Sequence, residues 1–223
     1  LTAAVKANQN PEKENANDDQ LDESLIAQVG AALAEQYDPI NGGFGRDPNR
    51  PKFPEPSNLV FLLNRSRSDA VNDTARKNAK QMLLKTLDGM LSGAMYDHLG
   101  GGFHRYSVDG LWQIPHFEKM LYDNGQLASL YAEAYADTNN PEYRGVVEGI
   151  CDFTLRELKA PGGAFYSALD ADSEGEEGKF YRWTQEELEE AKQTQGFDLF
   201  KQVFRLNGNP NFEGEYFAPA PGK

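Results

Sequence analysis

The 223-residue sequence has one cysteine, Cys151, and three histidines, and its basic side chains are outnumbered by acidic ones, 22 against 35. A lone cysteine excludes an internal disulfide and any CxxC redox or zinc motif, so cysteine usage sets no redox compartment. The net charge of −13 and the pI near 4.7 oppose nucleic acid and anionic membrane surfaces as partners, because the summed field repels phosphates. No apolar run approaches the roughly 18 residues that a membrane span requires. The opening LTAAVKANQNPEKENANDDQ lacks the basic-then-apolar order of a signal peptide. A cytoplasmic setting is therefore favoured, with neither membrane nor nucleic acid as a partner. GxGxxG and GxxxxGK[ST] are also missing, so no nucleotide cofactor is expected. Leu1 in place of a starting Met and the abrupt FAPAPGK at the other end read as the limits of a piece of a longer protein.

What is present supports a real core: 39% of residues are hydrophobic and 11% aromatic. Residues 1–20 are polar and rich in Asn, the composition of a linker. From residue 21 the hydrophobic pattern takes a helical period. Leu25, Ile26, Val29, Leu33 and Tyr37 form one stripe; a second helix is expected from Ser57 as N-cap, and a third from Asp73 through Gly93. A fourth is expected over 118–138 and a fifth from Pro141 through Lys159. Residues 164–183, with aromatic strands around an acidic turn, read as a β-hairpin. Thr184 and Glu187 form a capping box for a sixth helix, and a seventh over 197–206 precedes an irregular aromatic tail.

An internal repeat organises these helices. NGGFGRD, GGGFHRY and PGGAFYS each place a glycine pair at a helix end near an aromatic, with Gly43, Gly102 and Gly163 spaced 59 and 61 residues apart. Two helices separate successive glycine pairs, so the repeating unit is a helix pair with a decorated loop. Such pairs cannot bury their apolar faces alone; stacked, they make a solenoid or a closed ring with like loops on one rim.

The second of these loops carries the chemistry. HLGGGFHRYSVDGLWQIPHFEKM gathers all three histidines into nineteen positions. Asp97, His98, His104, Arg105, Trp112, His116, Glu118 and Asp123 suit sugar or polyol handling, since aromatics offer stacking faces while polar groups bond hydroxyls and move protons. Histidine is the favoured acid or base because its ordinary pKa lies near neutrality. The competing reading is structural: His98 bonds back to the preceding helix end and His116 steadies the next helix start. Histidine spacings of six and twelve residues match no zinc pattern, so no metal is expected. DADSEGEEGKFY places Asp170, Asp172, Glu174 and Gly175 as in a calcium loop, but Tyr181 stands where the bidentate Glu should be. Asp170 and Asp172 are open to two readings, a solvated turn or carboxylates directed inward. Cys151, beside Ile150 and Phe153, reads as a core residue.

GGFGRDPNRPKFP, AMYDHLGGGFHRYSVDGLWQIPHFEKMLYDNGQL and GAFYSALDADSEGEEGKFYRWT resemble the conserved blocks of the thioredoxin-domain-containing family that includes spermatogenesis-associated thioredoxin-like proteins, over about residues 20–190. The resemblance implies a mainly α fold: helix-pair repeats forming about half of an (α/α)6 toroid over residues 21–223, with short β-hairpins in the loops. That toroid is related to N-acylglucosamine 2-epimerases and six-hairpin glycosidases, and a thioredoxin-like domain would precede it. It further implies catalytic roles for His98, His104, His116, Glu118, Asp170 and Asp172. Arg105, Trp112, Asp97, Asp123 and Tyr181 would bind substrate. The expected ligand is a small carbohydrate, without cofactor. Half a ring exposes helix faces at its open edge, so the piece is expected to be inactive alone and prone to self-association there. The alternative is a non-catalytic scaffold that presents the thioredoxin-like domain to protein clients.

Overall fold

A computed structural model describes residues 23–204 and 206. The expected linker over 1–20 and the aromatic tail lie outside the described residues. The chain divides into two units, Leu1–Glu35 and Gln36–Lys223. Helix α1 (Glu23–Gln36) belongs almost wholly to the first, and Leu25, Ile26 and Val29 of its stripe are exposed.

The second unit is built from helix pairs. Helices α2 (Pro56–Arg67) and α3 (Asp73–Ser92) pack together, as do α4 (Leu121–Thr138) and α5 (Pro141–Phe153), and α2 also packs on α4. Each apolar stripe turns inward: Leu59, Leu62 and Leu63 from α2, Met82, Leu83, Leu87 and Met90 from α3. Leu127, Leu130 and Tyr131 of α4 meet Tyr143, Val146 and Ile150 of α5 in the same manner. Polar tips are satisfied across the helices: the Tyr131 hydroxyl donates to the Leu87 carbonyl at 2.7 Å and the Tyr143 hydroxyl to Asp88 at 2.6 Å. Short helices α6 (Gln185–Ala191) and α7 (Phe197–Val203) follow. The chain is a mainly helical protein of the (α/α) toroid class, in which strands are confined to two-residue pairs among the described residues. No described helix is long and apolar enough to cross a membrane.

Several element boundaries differ from the sequence reading. Helix α2 starts at Pro56 after Glu55 in a left-handed conformation, so Ser57 is inside the first turn and is not the cap. Asn72, not Asp73, caps α3, its side chain accepting from the Ala75 amide at 3.0 Å. Helix α4 begins three residues later than expected because Lys119–Met120 form strand β3, paired antiparallel with β4 (Ala168–Leu169). Before them, β1 (Tyr106–Ser107) pairs with β2 (Pro115–His116). Past Phe153, α5 widens into one π-helical turn, Thr154–Leu158. The acidic hairpin exists but is tighter than expected: β5 (Asp172–Ser173) pairs with β6 (Glu176–Glu177) around Glu174 and Gly175, both at positive φ as a two-residue primed turn requires. The flanking aromatics do not pair with one another; Phe165 bridges to Lys159. Cys151 is exposed, which corrects its assignment to the core, because α5 turns Ile150 and Phe153 inward on either side of it. The Thr184–Glu187 capping box is present as read.

The repeat is visible in backbone detail. Tyr37 bridges to Phe44, Tyr96 to Phe103 and Lys159 to Phe165; the first two turns are closed by the same backbone bonds, and the third is one residue shorter. In the first two turns the leading aspartate organises the loop: Asp38 Oδ1 accepts from the amides of Ile40 and Asn41, and Asp97 Oδ1 from those of Leu99 and Gly100.

Candidate active site

The second rim loop distributes its polar residues among a buried clamp, a core packing site and an accessible cluster. The clamp comes first. Lys119 Nζ lies 2.7 Å from Asp97 Oδ2 and 2.8 Å from the Gly101 carbonyl, with 1% of the lysine side chain exposed. Burial would raise the Asp97 pKa, but the Lys119 charge and the Gly100 and Leu99 amides hold the carboxylate below its ordinary range. Asp97 is therefore occupied in holding β3 against the glycine turn.

His104 is buried at 3% exposure, its Nδ1 donating to the Phe117 carbonyl at 3.2 Å and its ring edge-on to Phe117 and Tyr181. Burial, with the Lys119 charge adding to it, pushes its pKa down to about 3, so it is neutral throughout the physiological range. Tyr181 stacks on Phe117 at 5.3 Å and sits under the Lys119 ammonium. Trp112, expected as a stacking face, is 1% exposed: its indole N–H donates to the Asn41 carbonyl and its ring fills the space against Gly43 and Gly89. It joins the second rim loop to the first. His98 is exposed, and its Nε2 lies 3.1 Å from the carbonyl of Gly93, the C-cap of α3. That is the helix-end role weighed for it from the sequence. Asp170 and Asp172 are exposed, and Asp170 Oδ1 accepts from the Asp172 amide within the turn.

The accessible cluster centres on His116. Its Nδ1 is 2.6 Å from Glu177 Oε1 and its Nε2 is 3.8 Å from Glu118 Oε2. The ring stacks on Tyr106 at 4.7 Å, and Tyr106 stacks in turn on Phe53 at 4.6 Å. Glu118 also accepts from Arg105 Nη1 at 2.9 Å. Asp123, in the first turn of α4, is 6% exposed, and its Oδ2 is buried without a hydrogen-bond partner among the described residues. Burial raises its pKa to about 6, with Arg105 opposing and Glu118 reinforcing the rise. Strands β1 and β2 set Tyr106 opposite His116 in register, and the tight β5–β6 turn delivers Glu177 from 61 residues away.

The sequence alone points to His116, Glu118, Arg105 and Asp123 but not to Glu177 or the Phe53–Tyr106 stack. The signal for Glu177 lay in strand alternation: in a hairpin with a two-residue turn, Glu176 and Glu177 face opposite sides, so both cannot be solvated equally. Among the described residues no group of three or more His, Cys, Asp or Glu side chains is placed to hold a metal ion.

With this geometry in view, the similarities to known proteins have a structural meaning. No protein-family model matches the chain. It is 43% identical over 164 residues to spermatogenesis-associated protein 20 of Homo sapiens, a match covering 71% of this chain and 20% of that protein, with the same figures for the Mus musculus relative. An uncharacterized protein of Caenorhabditis elegans is 36% identical over 177 residues. The chain thus spans about a fifth of the length of the curated relatives it matches. Among solved structures, a sugar epimerase from a ruminal bacterium aligns with TM-score 0.54 at 13% identity, covering 83% of this chain and 50% of that one. Cellobiose 2-epimerase from Bacillus thermoamylovorans aligns with TM-score 0.52 at 13% identity, covering 84% of this chain and 52% of that one. At such identities the likeness is one of fold: the helix pairs are arranged as in the helical toroid of sugar epimerases.

Proposed function

We propose that this chain contributes a wall of a carbohydrate site, and that the longer protein resembling its relatives processes a sugar by acid–base chemistry of the epimerase type. The observation that carries this reading is the oriented histidine: His116 is fixed by Glu177 at Nδ1, so the neutral ring keeps its proton there and leaves the Nε2 lone pair as the base. The stacked rings of Tyr106 and Phe53 add an aromatic surface of the kind that sugar rings pack against.

The chemistry balances with groups at hand. In the open form of an aldose, a base removes the proton from the carbon beside the carbonyl, and the electron pair moves onto the carbonyl oxygen as an enediolate. Arg105 supplies positive charge for that oxygen. Return of a proton to the opposite face of the same carbon inverts it. Asp123, whose carboxyl retains its proton up to about pH 6, suits that return step. Asp97, His104 and Trp112 support the reading only indirectly, as the framework that holds the loop.

The test is incubation of the longer protein with cellobiose or glucose in deuterated water. Deuterium incorporation at the carbon beside the carbonyl, lost in His116→Ala and reduced at least tenfold in Glu177→Gln, is the expected result. Absence of saccharide binding together with absence of exchange would overturn the reading, and partner capture unaffected by His116→Ala would then favour a scaffold.

A further inference from the structure

The β5–β6 hairpin that supplies Glu177 to the His116 cluster also borders a second concavity. Ser173, Glu174, Lys179, Phe180, Arg182 and Trp183 line a cavity of about 330 Å³. That is the lower end of the size range of small-molecule sites, roughly 300–1,000 Å³, and it has room for one sugar ring. Two aromatic rings are open to it: Phe180 is 80% exposed and Trp183 49%. Exposed rings this large call for an occupant more than scattered single apolar residues do.

Its polar groups select among ligands. Lys179 Nζ is 2.5 Å from Glu174 Oε2, and Arg182 Nη2 donates to Glu176 Oε2 at 2.9 Å. Each cation thus already has a carboxylate, and Glu187 accepts from the Thr184 amide in the capping box. An anionic ligand would compete with these carboxylates inside a chain of net charge −13, and a cationic one would find them paired. With its charged groups already paired, the site favours an uncharged ligand.

We propose that this cavity is a saccharide subsite, in which a neutral sugar ring packs against Trp183 and Phe180. It rests on the carbohydrate reading above but lies apart from the His116 cluster, across the hairpin that both share. The Ser173 hydroxyl accepts from the Phe180 amide at 2.9 Å, fixing the aromatic segment to the hairpin that bears Glu177. A ring held here would sit beside the hairpin that bears Glu177.

The sequence has two tryptophans, and Trp112 is enclosed, so emission changes on ligand binding report on Trp183. The 223-residue chain is titrated with glucose and with cellobiose, following both tryptophan emission and heat. The expected result is a saturable change in emission that disappears in Trp183→Phe. Phe180→Ala should weaken binding roughly fivefold. Binding heat without any Trp183 response, or binding indifferent to Phe180→Ala, overturns the subsite while leaving the carbohydrate reading standing. No heat with either sugar also overturns the subsite, and the exchange experiment on the longer protein then judges the carbohydrate reading separately.

Discussion

Lys119 holds Asp97 and the Gly101 carbonyl with the same atoms, one repeat later, that Lys52 uses to hold Asp38 and the Gly42 carbonyl. Both lysine side chains are 1% exposed, so two charged pairs are buried at equivalent places in the rim. At Asp38, burial opposes ionisation, yet the bonds from Lys52, Asn41 and Ile40 hold the carboxylate far below its ordinary range. Removing one member of such a pair strands a buried charge, at a cost of about 3–5 kcal/mol, whereas removing both can be far milder. Lys119→Met and Asp97→Asn should each destabilise the chain by at least about 3 kcal/mol in urea unfolding. The double variant should lose clearly less than their sum. Additive losses would mean that the two residues act independently.

The glycine turns yield a second prediction, because turn glycines at positive φ meet different neighbours. Gly101 has φ 77°, and a Cβ there would collide with the Gly149 carbonyl of α5, which is backbone and cannot yield. Gly163 has φ 88°, but a Cβ would meet nothing. Gly163→Ala should therefore cost only the left-handed strain of about 1–2 kcal/mol, and Gly101→Ala measurably more, with a drop in expression or melting temperature. Equal costs would show that the close turn-to-helix approach is not a constraint.

How much of this was readable in advance follows the distance over which each feature is decided. The stripes of α2 to α5 and the Thr184 capping box depend on residues within one or two turns, and they were legible. Strand β3 was not, because Lys119 and Met120 fit the helical period of α4 and only pairing with Leu169 and Ala168, some fifty positions away, overrides it. The same rule separates the three histidines. Their presence in one loop was plain from the sequence; that His104 is walled in by Tyr181 while His116 meets Glu177 depends on partners that arrive from the next repeat. Trp112 was read as accessible because nothing local shows that the glycines of the first turn leave a space of its shape.

Acid stability should carry the mark of His104. Its folded pKa is depressed to about 3 by burial, against an ordinary value near 6.5, so the unfolded chain takes up a proton that the folded chain refuses between those values. This contribution is present above about pH 6.5 and lost as the pH falls toward 3. His104→Gln, although less stable near neutrality, should show a flatter loss of stability from pH 6.5 to 4 in parallel urea titrations. Identical slopes would mean that His104 is protonated without opening the fold.

Asp123 has the opposite sign. Burial raises its folded pKa to about 6 from an ordinary value near 3.8, so the folded chain holds the proton more tightly than the unfolded one. The stability this proton brings is complete below the unfolded pKa and is lost as the pH rises through about 6, leaving a buried charge that weakens the fold by about 3 kcal/mol at pH 8. Asp123→Asn, neutral at every pH, should be more stable than the parent at pH 8 and close to it at pH 4, as measured by urea unfolding at both. In the deuterium-exchange assay the same variant should lose the alkaline fall-off near pH 6 that a proton-returning carboxyl imposes, along with most of the rate. A variant gaining stability at pH 8 without any change in the exchange profile would leave Asp123 as a buried acid of the framework.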